Sequence, residues 1–172
     1  CGNVMTKGST AKRLIRIVAA FTRPLPGGLA VATILSCGVF AAISGSSIVT
    51  MLAIGTVMYP ALRAAGYENK FALGTIMSAG TLGIIIPPSI PMIIYGLVTE
   101  ASITDLFLAG VGPGLFILAV MSIYAMVMCR GMPRQTFDLK ELLIALREGI
   151  WAMAMPVILL GGIYSGYFTA TE

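Results

Sequence analysis

Two short stretches hold the residues of this chain that could do chemistry, Ser44-Gly45-Ser46-Ser47 and Ile86-Pro87-Pro88-Ser89-Ile90-Pro91. Both interrupt long apolar runs. Proline has no N–H, so Pro87 leaves the Gly83 carbonyl without its helical partner, and Pro88 does the same to Ile84. A helix from about Phe71 is therefore expected to end near Ile86. Ser89 is expected to cap a short second helix, Ile90 to Val98, with Pro91 tolerated in its first turn. In the other stretch, Gly45 permits backbone angles that a helix interior forbids. Ser46 and Ser47 suit the N-cap of a helix starting at Ile48. Each interruption thus offers freed carbonyls on one side and free N–H groups on the other. Carbonyl ends suit a small cation such as Na⁺, and N–H ends suit an anion through hydrogen bonds and the helix dipole. Two such breaks facing each other at mid-membrane are the ingredients of a secondary-transport site.

Other chemistries find no support in the residues. The chain has no histidine, which removes imidazole catalysis and His-based metal sites. No pair of acids, Ser/Lys dyad or Gly-rich phosphate loop occurs, so no catalytic residue, organic cofactor or enzymatic activity is expected. Cys1, Cys37 and Cys129 are odd in number and lack metal-ligand spacing. Cys37 and Cys129 are expected to be small buried hydrophobes. No metal other than Na⁺ and no nucleic-acid partner is expected.

The elements that must position the two breaks follow from composition and charge. Of 172 residues, 58% are hydrophobic and only 10% charged, and the mean hydropathy is +0.95. Soluble domains carry about 25% charged residues, so this composition predicts a polytopic, all-α membrane protein. The charges cluster at Lys7 to Arg23, at Arg63 to Lys70, at Glu100 and Asp105, and at Arg130 to Glu148. A crossing helix needs roughly 20 apolar residues. The uncharged gap between Arg23 and Arg63 would run about 58 Å as one helix, so it must fold back. If it enters and returns on one side, every Lys and Arg lies on the cytoplasmic face and the outer loop holds only Glu100 and Asp105, as the positive-inside rule requires. This predicts a re-entrant hairpin over residues 29–65, a broken transmembrane helix over 71–98, a transmembrane helix over 106–129 and the start of another over 151–168. Each hairpin arm reaches the bilayer middle, where irregular backbone survives only against protein or a wet cavity.

Two amphipathic stretches flank these spans. Residues 9–23 place Leu14, Ile15, Val18 and Phe21 on one face and Lys12, Arg13 and Arg16 mostly off it, which predicts a helix lying along the lipid interface. Residues 139–150 predict a second cytoplasmic surface helix, with Asp138 and Glu141 spaced as a capping box. Gly110, Gly112 and Gly114 predict close helix packing. The opening Cys1 and the closing Thr171-Glu172 predict a piece of a longer protein.

The chain resembles the large membrane subunit of tripartite ATP-independent periplasmic (TRAP) transporters. The resemblance is carried by Leu25-Pro26-Gly27-Gly28-Leu29-Ala30, Ile43 to Ser47, Ala79-Gly80-Thr81-Leu82-Gly83 with Ile86 to Met92, Leu106 to Gly110, and Gly161 to Gly166 followed by Phe168-Thr169. After the tip, the family pattern often has Pro-Ala-Thr where this chain has Ile48-Val49-Thr50. The resemblance implies an elevator-type ion-transporter fold with inverted repeats, of which this chain is most of the first. It implies sodium-coupled uptake of an organic acid, such as a C4-dicarboxylate or sialic acid, across the bacterial inner membrane. The partners implied are a periplasmic solute-binding protein and a small membrane subunit. Carried over residue by residue, the sodium site falls on Ser44, Ser47, Gly83, Ile86 and Pro88, and the substrate-facing residues on Ser46, Thr81 and Ser89. A different anion carrier or channel without a binding protein, or a non-transporting membrane scaffold, are the rival expectations.

Overall fold

The computed structural model describes residues 9–131 and, beyond them, helical positions 143–145, 147, 149–150, 154, 157–158 and 161–162. The amphipathic stretch expected over 139–150 and the helix expected over 151–168 therefore lie mostly outside the described residues. Within residues 9–131, seven helices follow one another: α1 Ser9–Thr22, α2 Gly28–Ser44, α3 Ser47–Ala64, α4 Asn69–Gly80, α5 Leu82–Ile85, α6 Ile90–Thr99 and α7 Ile103–Met128. No strand occurs among the described residues.

Helices α2 and α3 are the arms of a hairpin joined by Gly45 and Ser46 alone. The turn requires a left-handed residue, and Gly45 supplies it at φ 59°, ψ 14° at no steric cost. Its N–H closes the first arm on the Ala41 carbonyl at 2.9 Å. The arms are 17 and 18 residues long, about 26 Å each at 1.5 Å per residue. They are antiparallel, because Tyr67, just past the second arm, reaches the amides of Leu29 and Ala30 at the start of the first. Burial pushes the Tyr67 phenol above its ordinary value. The neighbouring Cys129 thiol adds to the rise, and the two amides oppose it. A β-carbon on Gly27 would lie 2.5 Å from the Cys129 β-carbon, so the hairpin's open end meets the C-terminal end of α7.

This arrangement sorts the charges. Arg63 donates to the Tyr67 carbonyl at 2.7 Å, Pro26 and Arg130 line one cavity, and Lys70 shares another with Tyr124. These basic residues gather where the hairpin opens and α7 ends. Glu100 and Asp105, at the junction of α6 and α7, occupy the other end.

The core is built around the first arm, whose Ile34, Cys37 and Phe40 are almost fully buried. Helix α1 packs against it. Leu14, Ile15 and Val18 are buried as the sequence pattern implies, together with Ala11, Ile17 and Ala20. Phe21 departs from that face and is 65% exposed. In the last turn the contact passes to Thr22, which is buried and whose carbonyl lies against Gly28. The apolar face of α1 thus packs on the hairpin. Its exposed side carries Lys12, Arg13 and Arg16.

The broken helix starts at Asn69 and has two interruptions where one was expected. The first is at Thr81, whose N–H and hydroxyl both turn back to the Ser78 carbonyl, at 3.2 and 2.7 Å. Such local bonds compete with the i→i−4 ladder. The second follows Ile85: Ile86 is extended (φ −76°, ψ 124°), and Pro87-Pro88 is a cis peptide. Helix α6 ends at Glu100 in a left-handed cap, and Ser102 caps α7 by accepting from the Asp105 N–H.

Among the described residues, three stretches, Ser47–Ala64, Asn69–Thr99 and Ile103–Met128, are long and apolar enough to cross a membrane. The fold is that of an all-helical, multi-pass membrane protein.

Candidate functional site

The hairpin tip and the break in the second helix meet backbone to backbone. A β-carbon on Gly83 would stand 2.6 Å from the Ser46 carbonyl oxygen and 2.8 Å from the Ser47 nitrogen. A β-carbon on Gly45 would stand 2.7 Å from the Pro88 carbonyl oxygen. Each glycine is therefore the gap into which the other segment fits. One backbone bond crosses the junction, from the Ile90 N–H to the Gly45 carbonyl at 3.4 Å. Helix α7 supports the break from behind: a β-carbon on Gly110 would come 3.0 Å from the Ile85 carbonyl, and one on Gly114 2.9 Å from the Ile86 side chain. Gly112 faces open space, so of the three glycines only the i, i+4 pair packs closely.

Tracing the carbonyls shows which remain available. The Ile84 carbonyl, expected to be freed by Pro88, is taken by the Ser89 hydroxyl at 2.8 Å. Ser89 is fully buried, so its side chain closes the break and does not cap α6. The Ser46 carbonyl is taken by the Thr50 N–H at 3.1 Å and the Thr50 hydroxyl at 2.9 Å, with the Ser44 hydroxyl also in reach at 3.3 Å. Among the described residues no donor reaches the carbonyls of Ser44, Gly83, Ile86 or Pro88. These are neutral, hard oxygen donors, which suit an alkali cation. No cluster of three His, Cys, Asp or Glu that could hold a metal ion occurs among the described residues.

The N–H groups show the complementary pattern. The second arm starts at Ser47, one residue earlier than expected, with Ser46 as a cap residue that makes no side-chain cap bond. The amides of Ser47, Ile48 and Val49 find no acceptor among the described residues. They open the N-terminus of an 18-residue helix, where partial positive charge accumulates. No ionised side chain lies between Lys70 and Glu100 or between Arg23 and Arg63, so the electrostatics of the junction come from peptide dipoles.

The structure thus brings Ser44, Ser46, Ser47, Gly83 and Pro88 to one junction. Ile86 stands beside it, wedged against Gly114. Thr81 sits apart and exposed, at a cavity of about 480 Å³ whose lining includes Ile34, Phe71, Ser78, Val120 and Tyr124. Sequence reasoning passed over Thr50. The signal for it was a threonine four residues after Ser46, a spacing at which the hydroxyl reaches back to the i−4 carbonyl.

The sequence profile described as "Tripartite ATP-independent periplasmic transporter, DctM component" matches residues 1–172. The chain belongs to this DctM family. It is 44% identical over 171 residues to the C4-dicarboxylate TRAP transporter large permease protein DctM of Vibrio cholerae, covering 98% of the chain and 38% of that protein. It is 43% identical over 173 residues to the ectoine large permease TeaC of Halomonas elongata, covering 99% of the chain and 40% of the relative. It is 36% identical over 174 residues to the 2,3-diketo-L-gulonate large permease YiaN of Escherichia coli, with 99% and 41% covered. This DctM chain therefore spans about two fifths of the length of these relatives. The substrates in their names differ, so family membership does not choose among them.

Proposed function

We propose that this chain is part of a sodium-coupled carrier for an organic anion, in which the junction of tip and break holds one set of ligands for the cation and presents amides to a substrate carboxylate. The observation that carries this reading is the sorting of the junction: donor-free carbonyls at Ser44, Gly83, Ile86 and Pro88, and acceptor-free amides at Ser47 to Val49. The cation brings positive charge to the carbonyls, and the anion takes the helix N-terminus. Binding of each strengthens binding of the other, which is the requirement for symport. In this reading Ser47 also lends its hydroxyl to the cation, while Ser46, Thr81 and Ser89 line or support the substrate side.

In this reading the hairpin is re-entrant: its two ends meet among the basic residues, so a hairpin that enters and returns keeps them on one face. The interlocked tip and break form a body that moves as a unit, as an elevator mechanism requires. The protein works in the bacterial inner membrane, with a small membrane subunit and a periplasmic solute-binding protein that delivers the substrate. The dicarboxylate relatives make a carboxylate the first substrate class to test.

The test is uptake of C4-dicarboxylates by the full-length protein and its partners in vesicles. Uptake is expected to need an inward Na⁺ gradient, and undiminished uptake with choline in place of Na⁺ would overturn the reading.

A further inference from the structure

The hydroxyl groups around the hairpin tip form a closed circuit that the sodium and carboxylate reading does not use. Thr50, in the first turn of the second arm, is fully buried. Its Oγ1 lies 2.9 Å from the Ser46 carbonyl and 2.7 Å from the Ser44 Oγ. The Ser46 N–H donates to the Ser44 Oγ at 3.4 Å. A hydroxyl has one proton to give. The Ser46 carbonyl can only accept, and both hydroxyls reach it, Thr50 at 2.9 Å and Ser44 at 3.3 Å; the shorter contact takes the Thr50 proton, and Ser44 then donates to Thr50 across 2.7 Å. The circuit runs from Ser44 to Thr50 to Ser46 and back to Ser44.

The circuit fixes one peptide plane. In a trans peptide the C=O and the N–H point in opposite directions. Holding the Ser46 carbonyl toward Thr50 therefore aims the Ser47 N–H the other way, and that amide is the first acceptor-free donor of the second arm. The same hold engages the Ser44 hydroxyl, leaving the Ser44 carbonyl as that residue's group without a partner. Without the Thr50 hydroxyl the Ser46 carbonyl keeps only the Thr50 N–H at 3.1 Å and the more distant Ser44 hydroxyl at 3.3 Å, so the Ser46–Ser47 peptide is held less firmly and the Ser47 amide is aimed less closely at an anion.

We propose that Thr50 is a positioning residue for the substrate anion: its hydroxyl orients the Ser46–Ser47 peptide so that the Ser47 amide is presented to the carboxylate. The inference rests on the proposed carrier function. It is tested in the full-length permease with its partner proteins reconstituted in vesicles, at saturating Na⁺. Thr50→Val keeps shape and removes the donor, while Thr50→Ser keeps the donor and removes a methyl group. The expected result is a rise of at least fivefold in substrate KM for the valine variant, at unchanged protein level, with the serine variant within about twofold of wild type. Wild-type KM in the valine variant, or equal impairment in both variants, overturns the assignment, the latter because packing alone would then explain it. If Thr50→Val does not accumulate in the membrane, Thr50→Cys replaces it under the same criteria. Sodium-independent uptake by the wild type would sink the coupling reading, yet the KM comparison would still judge Thr50.

Discussion

The two interruptions that meet at the junction are broken by different means. The hairpin tip is broken by geometry: Gly45 turns left-handed, and every residue there, the turn included, keeps an N–H. The second helix is broken by chemistry: Pro87 and Pro88 delete two donors outright. A geometric break depends on its surroundings, here the Ser44–Thr50–Ser46 circuit and the wall of Pro88. A chemical break persists whatever surrounds it; the Ser89 hydroxyl satisfies the Ile84 carbonyl and leaves that of Gly83. The comparison teaches that the donor-free carbonyl at Gly83 is built into the covalent structure, whereas the acceptor-free amides at the tip have to be held in place.

The comparison is broken most severely by filling the shared gap. Gly83→Ala puts a methyl group 2.6 Å from the Ser46 carbonyl, and neither partner is a flexible side chain. Uptake by the full-length protein is expected to fall by more than tenfold, while Gly112→Ala, which meets nothing within 4 Å, stays within about twofold in the same assay. Pro87→Ala comes next. It returns an N–H to the Gly83 carbonyl and should raise the Na⁺ concentration for half-maximal uptake by about fivefold, a change of about 1 kcal/mol. An unchanged Na⁺ response at normal protein level would detach that carbonyl from the cation. Ser89→Ala sharpens the contrast with the smallest effect. It orphans the Ile84 carbonyl and should lower stability by about 1 kcal/mol, read as a lower thermal unfolding midpoint of the purified protein.

The interruptions were legible in the sequence because proline and glycine act within their own residues. Counting missing N–H groups reached the Gly83 carbonyl directly. It did not reach the fate of the Ile84 carbonyl, because a serine before a helix start reads as a cap, and only the fold shows its hydroxyl turned backwards. The second bend, at Thr81, was hidden in an apolar run whose pattern continues through it. There the close approach of Gly80 to Met51, 2.9 Å for an added β-carbon, belongs to tertiary packing. Phe21 misled because its spacing from Leu14 places it on the buried face, yet the helix end rests on Gly28 through Thr22. The fit of Gly45 to Pro88 and of Gly83 to Ser46 joins segments about 40 residues apart, beyond any local rule.

A junction made of peptide backbone has no side chains to exchange. A substitution there acts mainly by filling a gap, by adding or removing an N–H, or by removing one of the few hydroxyls that hold it. Carriers that share such a junction can then diverge in cargo, with selectivity carried by the side chains around it. Tip and break can be inherited only as a matched pair, and a chimaera that takes its hairpin from one relative should take its broken helix from the same one.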